Sequence, residues 1–170
     1  MPSVRHSGFT LIELMVTIAV LAVLLALGLP SFQQSLRSNR VATATNEMIA
    51  SLSLARSEAI RSTRGGGVCA SGDGEGCNGD WSDGWLVWAD ANADGAFNNG
   101  ETVLRYSRGN GKLTVGSEDA LVAFDARGRR RAPAEQTLTL QPAECGGQPL
   151  LRTLTINASG QVQTVRGECP

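Results

Sequence analysis

Five positions in one short stretch have the types and spacing to hold a hard cation. Asp90, Asn92, Asp94, Asn98 and Glu101 fall in the pattern Asp90-x-Asn92-x-Asp94-Gly95-x5-Glu101. Calcium takes roughly six to eight oxygen ligands, and alternate Asp and Asn side chains in a tight loop can converge them. Glu101 would close the shell and Gly95 would make the turn. Such loops normally sit between two helices, whereas both flanks here read as strands. The plainer reading is a hairpin turn whose Asp and Asn side chains accept from their own backbone.

A second cluster is basic. Arg127, Arg129, Arg130 and Arg131 place four guanidiniums in five residues, with Arg166 further on. Extended or turn backbone would splay them, which suits phosphate contacts such as a DNA backbone rather than base reading. A solvated loop, or a patch facing an acidic neighbour, explains the same residues. Trp81, Trp85 and Trp88 form a further cluster, read as core for a small domain rather than as a ligand platform. Nucleophilic or acid–base catalysis has little to work with. The single His, His6, stands near the start, and Ser and Asp are scattered through turns, so no enzymatic activity is expected.

Cys69, Cys77, Cys145 and Cys169 allow three disulfide pairings. Cys69–Cys77 with Cys145–Cys169 is the favoured set, because each bond closes a local segment. Zinc is the weaker reading, since no pair has the usual two-residue spacing and His6 is the lone histidine.

The segment that must position all of this is an apolar run near the N-terminus. From Leu14 to Leu29 there is no charge. With Phe9 to Ile12 the span reaches about 20 residues, enough to cross a bilayer. One carboxylate, Glu13, interrupts it. A charge there costs roughly 2.5 kcal/mol or more and so marks a function or a buried partner. A secretory signal would be cut after its apolar core. Here the run continues into a helical pattern, and the expected cut lies before it, between Gly8 and Phe9. An ordinary signal anchor explains the run but not Glu13.

The stretch Gly8-Phe9-Thr10-Leu11-Ile12-Glu13-Leu14 resembles the class III signal of type IV prepilins and type II secretion pseudopilins. The resemblance implies cleavage after Gly8 by the prepilin peptidase and N-methylation of Phe9. It also implies that Glu13 pairs with the terminal amine of a neighbouring subunit during assembly. Further along, Trp81-x-x-Gly84-Trp85-x-Val87-Trp88-x-Asp90-x-Asn92-x-Asp94-Gly95 is followed by Gly100-Glu101-x-Val103-Leu104-Arg105. Phe124-x-x-x-Gly128 and Ile156-x-x-x-Gly160 follow these. Together they are similar to the minor-pilin and minor-pseudopilin group that includes FimT, FimU and GspH. That similarity implies a pilin-like α+β fold: a long N-terminal helix, half membrane anchor and half amphipathic, packed on an antiparallel β domain. It implies a structural subunit at the start or tip of a type IV pilus, with a type II secretion pseudopilin as the alternative. The implied partners are other minor and major pilins through the N-terminal helix, the prepilin peptidase and the inner-membrane assembly platform. The implied place is a single pass in the inner membrane with a periplasmic C-terminal domain, and the outside of the cell after assembly. No cofactor is implied beyond the candidate calcium. DNA-holding members use a GRxR motif near the C-terminus; the corresponding stretch here is Gly160-Gln161-Val162-Gln163, without either arginine.

The chain thus divides into a leader (1–8), a long helix (9–64, with 9–29 the membrane or assembly segment) and a β-rich head (65–170). Pro30 is expected to bend the helix. In its second half Val41, Met48, Leu52, Ala55 and Ala59 recur at helical steps and should pack on a sheet. Gly65-Gly66-Gly67 is expected to end it, and Val68 to Asp80 to form a loop. Six or seven short strands should follow, with a hairpin turn at Ala158-Ser159-Gly160. Bulk charge decides little: losing Arg5 leaves 14 basic against 16 acidic residues. Its distribution is uneven, with seven carboxylates and no Lys or Arg from Gly65 to Val103, then seven basic and three acidic residues from Arg105 to Arg131. Such asymmetry fits complementary subunit faces or an anion site.

Overall fold

A computed structural model describes residues 8–170. The expected leader, including Arg5 and His6, lies outside the described residues up to Gly8. The first element is α1 (Leu11–Ser62), which continues through Pro30. Its residues divide between two units, one ending at Leu36 and one beginning at Arg37. In the first unit the helix is apolar on every side and its large side chains, from Leu11 to Phe32, are exposed. It contains the one helical stretch among the described residues that is long and apolar enough to cross a membrane.

The second unit is built on the remainder of α1. Val41, Ala44, Met48, Leu52, Ala55 and Ala59 form its buried stripe. Two four-stranded antiparallel sheets complete the unit. The first holds β1 (Gly65–Ala70), β2 (Gly84–Asp90), β3 (Thr102–Arg108) and β5 (Leu121–Asp125) in the order β3-β2-β1-β5. The second holds β4 (Leu113–Ser117), β6 (Gln136–Pro142), β7 (Leu151–Ile156) and β8 (Val162–Gly167) in the order β4-β6-β7-β8. The alternation of β6 and β7 sends Leu138, Leu140, Leu154 and Ile156 into the core with the α1 stripe, joined by Val68, Val87, Val122 and Phe124. The other face of the first sheet carries a smaller cluster of Leu86 and Trp88 against Cys69, flanked by Phe97, Tyr106 and Leu121.

The expected loop from Val68 is corrected here. Helix α1 stops at Ser62, and Thr63 takes the left-handed conformation (φ 54°) that ends many helices. The glycine run then enters β1, an interior strand paired on both sides. Glycine is poor in strands, but here close approach demands it. A Cβ on Gly66 would strike the Ala55 carbonyl of α1, and one on Gly67 would strike the Trp88 ring. The head therefore has eight strands rather than six or seven. The expected turn at Ala158-Ser159-Gly160 joins β7 to β8, with Gly160 N–H donating to Asn157 O at 2.9 Å.

Candidate functional site

At the N-terminus, Thr10 caps α1. Its Oγ1 accepts the Glu13 N–H at 3.3 Å, one half of a Thr-x-x-Glu capping box. The sequence reading missed this cap, although Thr10 three residues before Glu13 is its signature. The Glu13 carboxylate itself is exposed and has no hydrogen-bond or ion-pair partner among the described residues. Phe9, Leu11, Ile12 and Leu14 around it are also exposed. Within one chain, an acid in an apolar helix is left without the counterpart that would offset its desolvation.

The loop after β2 does not gather oxygens around a central point. Asp90 is buried, and its Oδ1 accepts from Asp94 N–H at 3.2 Å while Oδ2 accepts from Gly95 N–H at 2.9 Å. Arg131 Nη2 donates to the same Oδ2 at 3.2 Å. Glu101 turns its two oxygens to the N–H groups of Ala91 and Asn98. Asp94 accepts from Ala96 N–H and from the side-chain amides of Asn92 and Asn98. The Ala96 N–H, then the side-chain amide of Asn92, hold the Asp94 carboxyl below its ordinary value. Asp90, Asn92, Asp94, Asn98 and Glu101, expected to converge on calcium, are turned here to other partners. The oxygens serve the loop's own amides, Arg131 stands against Asp90, and among the described residues no three His, Cys, Asp or Glu side chains converge. In this arrangement the donor set does not fit the ion.

The arginine cluster is likewise divided by the fold. Arg130 is buried, and its Nη1 donates to the carbonyls of Ala134 and Ile156. Burial lowers its pKa. Arg131 reaches Asp90 and donates to Ala93 O at 2.8 Å. Arg127 and Arg129 remain exposed, and Arg166 lies apart on β8. The expected row of splayed guanidiniums for a DNA backbone is corrected: two of the four brace the core and the 90–101 loop. What could have revealed this is Asp125, whose Oδ1 accepts the N–H groups of Arg127 and Arg129 and folds the segment into a tight turn.

The remaining motif residues are structural. Trp81, Trp85 and Trp88 are buried. Gly128 (φ 71°) and Gly160 (φ 78°) meet beneath α1, where Arg56 donates to Ser159 O and Gly160 O, each at 3.1 Å. That contact explains the Phe124-x-x-x-Gly128 and Ile156-x-x-x-Gly160 spacing: it ties both turns to the helix. Cys69 is bonded to Cys77 and Cys145 to Cys169, and the second bond holds the C-terminus to the loop after β6.

Comparison with known proteins places these features. A family model described as type II transport protein GspH matches residues 44–160. A model of the prokaryotic N-terminal methylation motif matches residues 4–29. Among solved structures the chain is similar to the type IV minor pilin FimU of Pseudomonas aeruginosa in two crystal forms. In the P21 form the identity is 26%, the match covers 75% of this chain and 89% of that one, and the TM-score is 0.56. In the P65 form the identity is 26%, the coverage 73% and 91%, and the TM-score 0.54. No curated protein sequence matches the chain significantly.

Proposed function

Because the chain belongs to the type II transport protein GspH family, whose members are structural pilins or pseudopilins, we propose that it is a minor subunit of a type IV pilus. The observation that carries this reading is the exposed, all-apolar start of α1 bearing one unpartnered acid, Glu13. The methylation motif and the similarity to FimU support it. Before assembly the apolar segment holds the subunit in the inner membrane, with the disulfide-bonded head in the periplasm, where disulfides persist. The prepilin peptidase cuts after Gly8, and Phe9 becomes the methylated terminus. In the filament the same apolar surface packs on the helices of other minor and major pilins. There Glu13 neutralises a neighbour's terminal amine, where pairing offsets burial. The head rides outside and needs no cofactor for this role. The assembly platform supplies the site of insertion.

The GspH family match favours a second reading, a pseudopilin of type II secretion. Deleting the gene separates the two. Loss of surface pili, counted by electron microscopy, with normal release of secreted proteins is expected. Normal pili with blocked secretion would replace the first reading by the second.

A further inference from the structure

Three asparagines are followed directly by glycine: Asn78-Gly79, Asn99-Gly100 and Asn110-Gly111. Such a pair can react with itself. The glycine N–H, unshielded by any side chain, can approach the side-chain amide carbon of the asparagine before it. Attack closes a five-membered succinimide and expels the side-chain nitrogen as ammonia. Whether a given pair reacts depends on how firmly its two amides are held, since a held group must first give up its hydrogen bonds. The fold holds the three pairs differently.

Asn78 is held at both side-chain atoms. Its Oδ1 accepts from Gly72 N–H at 3.2 Å, and its Nδ2 donates to Asp73 Oδ2 at 2.8 Å. The Cys69–Cys77 bond fixes the chain beside it, and Gly79 is packed against Gly72. Asn110 is held at one side-chain atom: Oδ1 accepts from Lys112 N–H at 3.0 Å, while its main-chain carbonyl accepts from Leu113 N–H at 2.8 Å. Asn99 and Gly100 are the central pair of a turn closed by Glu101 N–H on Asn98 O at 3.1 Å. Both are exposed, Gly100 is left-handed (φ 97°), and a Cβ there would meet open space. Among the described residues the Asn99 side chain, the Asn99 main-chain carbonyl and the Gly100 N–H all lack a hydrogen-bond partner. The peptide between them can therefore rotate toward the side chain without breaking a bond.

We propose that Asn99-Gly100 is a self-modifying site in the 90–101 loop, with water as its only co-reactant. The Gly100 nitrogen bonds to Asn99 Cγ, the Cγ–Nδ2 bond breaks, and the Gly100 proton leaves with the ammonia. Water then opens the ring, at Cγ to give aspartate or at the Asn99 main-chain carbonyl carbon to give isoaspartate. Either product adds a negative charge next to Glu101, and isoaspartate also lengthens the backbone by a methylene. Glu101 clamps this segment through the N–H groups of Ala91 and Asn98, and the same loop sets the Phe97 ring against Trp88. The isoaspartate product therefore loosens the loop over that ring.

The test ages full-length protein in detergent at mildly alkaline pH and follows each site by peptide mass spectrometry, as a gain of about 1 Da, with enzymatic methylation marking isoaspartate. Asn99 should convert about tenfold faster than Asn78, the weight of one or two hydrogen bonds, and faster than Asn110. In the reduced, denatured chain the three rates should converge. Equal rates in the folded protein, or a faster Asn78 or Asn110, overturn the site; a spread that survives denaturation assigns the preference to sequence rather than fold and overturns it as well. Asn99→Asp carries the charge without the longer backbone, so it should melt with fresh wild type while protein rich in isoaspartate melts lower. Aged and fresh protein melting alike would overturn the loosening of the loop.

Discussion

The indole N–H of Trp85 donates to Ser51 Oγ across 3.0 Å inside the core, joining the C-terminal part of α1 to the start of β2. Ser51 is a polar residue at the edge of an apolar stripe, and this bond is its reason for being there. Ser51→Ala leaves the buried donor unpaired and should cost about 1–3 kcal/mol. Chemical denaturation of the protein in detergent measures it, and an unchanged midpoint would show that Trp85 finds another acceptor.

Gly160 is fixed by two constraints at once. Its backbone is left-handed, and an added Cβ would collide with the Gly128 carbonyl. Gly160→Ala should therefore cost about 2 kcal/mol or more and loosen the β7–β8 turn from Arg56. Arg56→Ala removes the two hydrogen bonds to that turn and should cost less. Equal stability of Gly160→Ala and wild type would contradict the packing described.

Asp90 anchors the 90–101 loop from beneath. Asp90→Ala strands the Arg131 guanidinium and two backbone N–H groups and should lower stability by about 3 kcal/mol. With the loop oxygens committed to amides, millimolar calcium is expected to leave the melting temperature unchanged. A rise on adding calcium would show that the loop can reorganise around the ion.

The Asp94 carboxyl is depressed below its ordinary value of 3.8, chiefly by the Ala96 N–H and next by the Asn92 side chain. A depressed folded pKa means the ionised form is favoured by folding. Its contribution is therefore present above the unfolded value and lost as pH falls through the folded one. The Ala96 amide resonance should titrate below pH 3.8 and lose that transition in Asp94→Asn. A transition at or above the ordinary value would contradict the assignment.

Glu13 serves the helix cap through its backbone N–H, not its carboxylate. Glu13→Gln should thus leave α1 and the removal of the leader intact while reducing the subunit's share in sheared filaments. Immunoblots of cells and filaments give both readings together. Filaments with unchanged content would remove the carboxylate from assembly.

The sequence by itself determined the long helix, the helical stripe of Val41, Met48, Leu52, Ala55 and Ala59, the core role of the tryptophans and the turn before Gly160. Each is a local signal: apolar spacing sets which face is buried, and a turn residue carries its own backbone preference. Glu13 was legible for the same reason, since one charge in an apolar run stands out without any knowledge of its surroundings. What the tertiary structure alone decided is where residues of mixed meaning point. Gly65-Gly66-Gly67 reads as a breaker, because low strand propensity is a property of the isolated chain. It becomes an interior strand only when α1 and Trp88 press so closely that a Cβ has no room. Asp90 and Arg131 are 41 residues apart, and nothing local announces that one will neutralise the other. The loop spaced for a cation spends its oxygens on its own amides and on Arg131, and two of the arginines spaced for phosphate meet partners elsewhere in the fold, because buried charge and unpaired backbone must find their partners.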